Sequence, residues 1–267
     1  MSVKEYYNQY WSDTGFHPTG HSDNAVVRLL KKHIAPNTKV LDIGCGDGLA
    51  AGLVLHSQGM YVGVDVSENA VNEATGHGFD ARVIEDAQAL PFEDNEFDAI
   101  VSMEVIEHLI FPLDAIREAI RVLKPGGTMM YTTPNTAYWR LRLDMMVLGK
   151  WNPLGDTLAV EQPWRDPHVR FFTTSALRRM FETAGLENVE VGGCKGHFIR
   201  SLPGAQRMLG RYLPKEASRV YRGLEKAWPS ALANRLFVVA NKPVPSAGAI
   251  NTTNSDASTV NALRGAA

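Results

Sequence analysis

Residues 42–48 read Asp42-Ile43-Gly44-Cys45-Gly46-Asp47-Gly48, three glycines at alternate positions with two carboxylates among them, next to a short apolar run at 40–43. Glycines so placed let the chain turn sharply at the end of a strand and bring its backbone against a ligand. The spacing is G-x-G-x-G, not the G-x-G-x-x-G of dinucleotide loops. Carboxylates at Asp42 and Asp47 also oppose the positive potential that a pyrophosphate needs. The loop therefore suits a ligand without phosphate and with a cationic end.

S-adenosylmethionine (SAM) is such a ligand, and two further aspartates fit its nucleoside half. Asp65 closes a second strand-like run seventeen residues past Gly48, where a carboxylate accepts both ribose hydroxyls. Asp86 follows a third run and suits the exocyclic amine of adenine. Any one of these aspartates is equally a helix cap or turn residue. Three at successive strand ends, with the glycine loop, are not explained that way.

The elements that must position these residues alternate in type. Strand-like runs at 40–43, 61–66, 79–84, 97–103 and 128–133 are separated by helical patterns at 49–58, 67–74 and 113–123. Ser67 is a natural N-cap, and Lys124-Pro125-Gly126-Gly127 stops the third helix. This order predicts an α/β fold, a parallel sheet with helices on both faces. Later come a helix at 175–184, a strand at 189–191, helical character over 200–233 and a last strand at 236–240. Residues 136–164 are aromatic and proline-punctuated, too long for a plain connection, and read as a cap. From 243 to 267 the chain is small and polar, a composition that predicts disorder.

Composition excludes several classes. The 267 residues are 45% hydrophobic and 21% charged with a net charge of −2, as in an ordinary globular protein. No apolar run approaches the ~20 residues of a membrane span, and the polar, aromatic residues 1–11 lack the apolar centre of a signal peptide. Cys45 and Cys194 are the only cysteines, so neither a disulfide scaffold nor a zinc spacing is present. A cytoplasmic location is expected.

Across residues 36–187 the chain resembles the class I SAM-dependent methyltransferases. The likeness runs in order through 40–48, Gly63-Val64-Asp65-Val66-Ser67, 86–92, Phe97-Asp98-Ala99-Ile100-Val101, 103–109 and Arg121-Val122-Leu123-Lys124-Pro125-Gly126-Gly127. It implies a Rossmann-like seven-stranded sheet with an antiparallel last strand, here 236–240. Carried over residue by residue, it implies that Gly44, Cys45 and Gly46 contact the methionyl part of SAM, with Asp42 in the same binding set. Asp65 and Val66 would hold the ribose and adenine, Asp86 and Ala87 the adenine edge, and Met103 would lie near the sulfonium. The implied domains are an N-terminal aromatic cap (1–35), a methyltransferase domain (36–242) with inserts at 136–164 and 200–233, and the tail.

The acceptor is less legible, for a physical reason. A sulfonium already activates its methyl group, so the enzyme supplies alignment and desolvation, and a base only where the acceptor must lose a proton. Met103-Glu104-Val105-Ile106-Glu107-His108-Leu109 resembles the ubiquinone-biosynthesis O-methyltransferases, where the two glutamates and the histidine are associated with a divalent metal. Relatives without a metal share the string, so a metal is possible but not expected; the glutamates alternatively cap the following helix. His108 and His168, the latter in Asp166-Pro167-His168-Val169-Arg170-Phe171-Phe172-Thr173, are the candidate catalytic residues; a structural hydrogen bond is the other reading of His168. Arg28 is a further candidate for the SAM carboxylate. Residues 133–143 also resemble the methionine-biosynthesis W-type proteins, methyltransferase-like partners of an acyltransferase, which supplies a non-catalytic alternative. The aromatic residues Tyr6, Tyr7, Tyr10, Trp11 and Phe16, with His17 and His21, either cover the site or pack as core.

Residues 200–228 carry seven basic against two acidic residues, with aromatic and leucine side chains between them. They read as a solvated helical face or as a contact for anionic lipid or a lipid-linked substrate. No nucleic-acid module accompanies the charge. The expected function is methyl transfer from SAM to a small-molecule oxygen, phenolic, polyketide-like or lipid-linked.

Overall fold

Near-continuous burial along the central strand runs, as in 40–43, 61–65 and 236–240, sets the architecture, because both faces of such a sheet are covered. The computed structural model of the chain describes residues 3–14, 24–57, 59–150, 161, 167–194, 223–224 and 227–245. Its strands are β1 (Lys39–Ile43), β2 (Met60–Asp65), β3 (Asp80–Val83), β4 (Phe97–Met103), β5 (Leu123–Pro134), β6 (Glu187–Cys194) and β7 (Arg235–Asn241). They form one sheet in the order β3-β2-β1-β4-β5-β7-β6. Only β7 runs against its neighbours. The expected Rossmann-like sheet with an antiparallel last strand is thus present.

Helices cover both faces: α1 (Val3–Thr14), α2 (Asn24–His33), α3 (Gly52–Leu55), α4 (Glu68–Gly76), α5 (Pro112–Val122), α6 (Trp139–Leu148), α7 (Thr174–Thr183) and α8 (Pro229–Leu232), with a 3-10 turn at Ile106–His108. Successive strand residues point to opposite faces. Leu41, Ile43, Ile100, Met129, Tyr131 and Val238 pack on one side with Ile116 and Ala119 of α5 and Leu177 and Phe181 of α7. Val40, Val101, Met130 and Val239 pack on the other with Leu30 of α2, Leu55 of α3 and Ala74 of α4. Ser67 caps α4 as expected, its hydroxyl accepting from Ala70 N at 3.3 Å.

Three elements differ from their sequence patterns. The helix expected over 49–58 is only Gly52–Leu55. Gly48 N donates to Cys45 O and Leu49 N to Asp47 Oδ1, each at 3.0 Å, so turns occupy the chain before a helix can start. Strand β5 begins at Leu123, not 128, since the Lys-Pro-Gly-Gly segment is itself extended. Gly126 N donates to Lys242 O and Lys242 N to Gly127 O, which ties that segment to the end of β7. Within 136–164 the described helix α6 buries none of its residues, and Met145 and Met146 are exposed. Residues 151–160 and 162–166 lie outside the described residues, as do Phe16, His17, His21, the seven basic residues of 200–228 and 246–267. No helix among the described residues is long and apolar enough to cross a membrane.

Candidate functional site

Strands β1, β2, β4 and β5 run in one direction, so Ile43, Asp65, Met103 and Pro134 end at one edge of the sheet. Ligands of open α/β sheets bind outside such carboxyl ends. Past β1 the chain turns through Gly44 (φ 74°) and Gly46 (φ 56°), left-handed conformations that a side chain disfavours. A Cβ on Gly44 would also collide with the Val105 side chain, and one on Gly46 would stand 3.0 Å from the Trp11 ring.

Backbone donors pin the loop to β2. Gly44 N and Cys45 N both donate to Val64 O, at 2.8 and 3.0 Å. Asp65 then ties loop and helix together, accepting from Gly46 N at 3.0 Å and Ser67 N at 2.9 Å. Burial pushes the Asp65 carboxyl up, and those two N–H groups pull it back. Val66 beside it is half-buried. The Asp86 side chain is exposed at the end of the following segment, its oxygens accepting from Gln88 N and Gln88 Nε2 at 2.9 Å, with Ala87 buried next to it.

The two carboxylates of the glycine loop have different settings. Asp42 is buried beneath it; Tyr61 donates to its Oδ2 at 2.7 Å, while Oδ1 has no hydrogen-bond partner. Burial lifts this carboxyl to about 7. Asp47, also buried, accepts from Leu49 N, and its carbonyl accepts from His77 Nδ1 at 3.0 Å. Cys45 is a buried thiol whose ionisation burial opposes.

Helix α1 crosses the opening. Ser67 donates its hydroxyl to Asn8 Oδ1 at 2.9 Å, and Asn69 Nδ2 donates to Asn8 O and Ser12 Oγ. Lys4 pairs with Glu68 at 2.7 Å. Trp11 lies against Gly46, and Tyr7 meets His108 edge-on with ring centroids 6.0 Å apart. The N-terminal aromatic residues within the description thus include two at the site. The Tyr10 side chain lies outside the description, and Arg28 is exposed on α2.

The Glu-x-x-Glu-His string leaves the end of β4 without forming one helical face. Glu104 has φ 59°, so the chain is not helical there. Its Oε1 takes the Thr132 hydroxyl at 2.9 Å and Arg235 Nε at 3.1 Å. Thr132 also reaches the sulfur of half-buried Met103 at 3.5 Å. Glu107 is buried, accepting from Thr133 Oγ1 at 3.0 Å through Oε2, while Oε1 has no hydrogen bond. Burial, with Glu104 nearby, pushes the Glu107 carboxyl well above the usual range. Neither glutamate caps a helix: α5 starts after Phe111 with no side-chain cap.

His168 arrives beside this turn from the segment before α7. Val169 N and Arg170 N both donate to the Glu107 carbonyl at 3.0 Å, and Pro167 O lies 3.3 Å from His108 Nδ1. The His108 and His168 rings stand 4.4 Å apart at 32°. Donor atoms of Glu107, His108 and His168 all lie within 4.8 Å of one another. The resemblance linked Glu104, Glu107 and His108 to a metal; Glu104 is not in this group. Sequence reasoning gave no part to Asn8, Tyr61, Thr133 or Arg235. Asn8, Tyr61 and Arg235 are common residue types outside any motif, and Thr133 only opens the 133–143 stretch; each meets its partner at the site from a distant stretch of chain.

A family model described as a methyltransferase domain matches residues 21–191. The ubiquinone biosynthesis O-methyltransferase of Idiomarina loihiensis is 29% identical over 199 residues, 70% of this chain and 78% of its own length. The protein of that name from Dinoroseobacter shibae is 33% identical over 165 residues, covering 58% of this chain and 62% of its own. Among solved structures, phosphoethanolamine N-methyltransferase 2 of Haemonchus contortus, in complex with phosphomonomethylethanolamine and S-adenosylhomocysteine, has a TM-score of 0.61 at 19% identity, over 89% of this chain and 61% of that one. At that identity the likeness speaks for the fold. The family model, by contrast, takes in well over half of the 267 residues, and on that extent the chain belongs to the methyltransferase-domain family and is a SAM-dependent methyltransferase.

Proposed function

We propose that the protein methylates an oxygen of a small-molecule acceptor, phenolic, polyketide-like or lipid-linked, and that His108 and His168 are its catalytic residues. The observation that carries this is the imidazole pair, ring centroids 4.4 Å apart, at the turn after β4, which ends at the same sheet edge as β1 and its glycine loop. Both relatives bear the name O-methyltransferase, which supports oxygen as the acceptor atom.

The left-handed turns at Gly44 and Gly46 bring bare backbone to the strand edge, which suits SAM; a Cβ there would strike Val105 or Trp11. Gly44, Cys45 and Gly46, with Asp42 beneath, would receive the methionyl part. Asp65 and Val66 would take the ribose and adenine, Asp86 and Ala87 the adenine edge, and Met103 would border the sulfonium. Backbone donors already hold both Asp65 oxygens, so this carboxylate needs no reorganisation to accept hydroxyls. Bound SAM supplies a methyl group activated by its sulfonium. Trp11 and Tyr7 on α1 exclude water from above. The acceptor's oxygen would take the methyl group as sulfur keeps the S–C bonding pair, and an imidazole lone pair of His108 or His168 would take the hydroxyl proton.

Labelled SAM incubated with the protein and a metabolite extract should yield a methylated small product. His168→Ala should slow its formation by roughly 10²–10⁴-fold while leaving the affinity for S-adenosylhomocysteine unchanged by isothermal titration. Asp65→Ala should lose that affinity instead. Label confined to macromolecules, or unslowed product from both the His108→Ala and His168→Ala proteins, would overturn the proposal.

A further inference from the structure

The geometry points to Tyr61 as a positioning residue for SAM, acting through Asp42 from beneath the glycine loop, with Phe79 as the ring that holds it in place. This rests on the SAM-binding reading and adds a residue that works from behind the site. Strand register sets it up. Asp42 pairs with Gly63 across β1 and β2, and Val40 pairs with Tyr61 two residues earlier. Those four positions share one face of the sheet. The Tyr61 ring therefore reaches along the strand past Gly63, and its hydroxyl donates to Asp42 Oδ2 at 2.7 Å. The path is open because residue 63 has no side chain: a Cβ there would stand 3.2 Å from that hydroxyl and 2.8 Å from Cys45 Sγ.

Packing fixes the ring. Tyr61 and Phe79 are both buried, 5.6 Å apart at 62°, in one cluster with Leu55 of α3 and Ala74 of α4. His56 meets Phe79 edge-on at 5.6 Å, and His77 at the end of α4 donates from Nδ1 to the Asp47 carbonyl at 3.0 Å. Burial, with Asp42 beside it, holds the Tyr61 phenol well above its ordinary range, so it stays a donor. Asp65 faces Asp42 from the end of β2, and Cys45 lies among Asp42, Asp65 and Asp47. With Oδ2 held from below, Asp42 presents Oδ1, which is buried without a hydrogen bond. Such an oxygen is costly unless a donor or a cation meets it, and the ammonium of the methionyl part is both. Tyr61 also decides how readily Asp42 carries its charge: burial lifts the carboxyl to about 7, and the Tyr61 hydrogen bond works against that rise.

Tyr61→Phe keeps the ring and removes the hydroxyl, so Asp42 should then ionise about tenfold less readily. Calorimetric titration with S-adenosylhomocysteine should find this variant about tenfold weaker than the parent at pH 6, with the gap narrowing to about twofold by pH 8. In an Asp42→Asn background the same change should cost at most about twofold at any pH, since the carboxyl through which it acts is gone. Phe79→Leu keeps the hydroxyl but loosens the ring behind it; it should move the pH profile in the same direction, and it decides the matter if Tyr61→Phe fails to fold. Equal affinities and profiles in parent and Tyr61→Phe would overturn the assignment while leaving SAM binding in place. So would a loss that is the same at every pH and undiminished in the Asp42→Asn background, the mark of a purely structural role. Folded parent protein that binds no S-adenosylhomocysteine would overturn the SAM-binding reading, and this inference with it.

Discussion

Asp42 lies under the glycine loop with one oxygen on Tyr61 and the other without a hydrogen bond, and burial lifts its carboxyl to about 7. In the unfolded chain the same group titrates near ~3.9. Below that value both states hold the proton and Asp42 adds nothing to the pH dependence. As pH rises toward 7 the unfolded state ionises first, so folding loses stability; above about 7 the full loss, on the order of 4 kcal/mol, is present. Asp65 and Glu107, also pushed up by burial, act with the same sign. Asp42→Asn should therefore flatten the fall of melting temperature between about pH 4 and 7. The Asn can still accept from Tyr61 but places an NH₂ where Oδ1 has no partner, so a pH-independent loss of roughly 1–3 kcal/mol should accompany the flattening. An unchanged slope in circular-dichroism melts would assign the cost to another carboxylate.

Several of the contacts that hold helix α1 at the mouth of the site are exposed. Three hydrogen bonds join Asn8 and Ser12 to Ser67 and Asn69, and the Lys4–Glu68 pair is more than half exposed on the glutamate side. Bonds of this kind contribute about 1 kcal/mol each, and an exposed ion pair less. Such an element opens locally without unfolding the sheet. Asn8→Ala should thus speed hydrogen exchange over Val3–Thr14 and raise the release rate of S-adenosylhomocysteine several-fold, with the global melting temperature nearly unchanged. Mass-spectrometric exchange and stopped-flow release measure the two quantities. Equal exchange in parent and variant would make α1 a fixed wall and not a cover.

Among the described residues, carboxylates whose titration shifts lie at both ends of the sheet. At the site end, Asp42, Asp65 and Glu107 are pushed up by burial. At the opposite end, where β1, β4 and β5 begin, Asp98 accepts from Lys124 Nζ at 2.7 Å and Lys39 N at 2.8 Å, and Glu96 pairs with Lys39 at 2.7 Å. These hydrogen bonds hold the Asp98 and Glu96 carboxyls below the usual range. Their contribution is present above the unfolded values, ~4, and disappears as pH falls through the lowered folded ones. One end therefore loses stability on acidification and the other on neutralisation. Melting temperature should peak at mildly acid pH, roughly 4.5–6. Asp98→Asn should blunt only the acid limb, Asp42→Asn only the neutral one. A plateau through pH 8 in differential scanning calorimetry would contradict this division.

Local pattern was enough for the sheet and the loop. Phe97–Met103 reads as a strand and is one, the glycines at 44 and 46 turn as their lack of a Cβ permits, and 236–240 lies in the antiparallel strand. Such features depend on side-chain periodicity and backbone freedom over a few residues, which spacing records directly. The corner that holds His108 and His168 was legible only as residue types. An i, i+3, i+4 string places Glu104, Glu107 and His108 together if the backbone is helical; the left-handed Glu104 breaks that condition and sends its side chain to Arg235. His168 joins His108 because two amides after it bond the Glu107 carbonyl, and Asn8 meets Ser67 because α1 folds back over α4. These meetings join stretches of chain far apart in sequence, and only the packed sheet, by fixing where each strand ends, brings them to one edge.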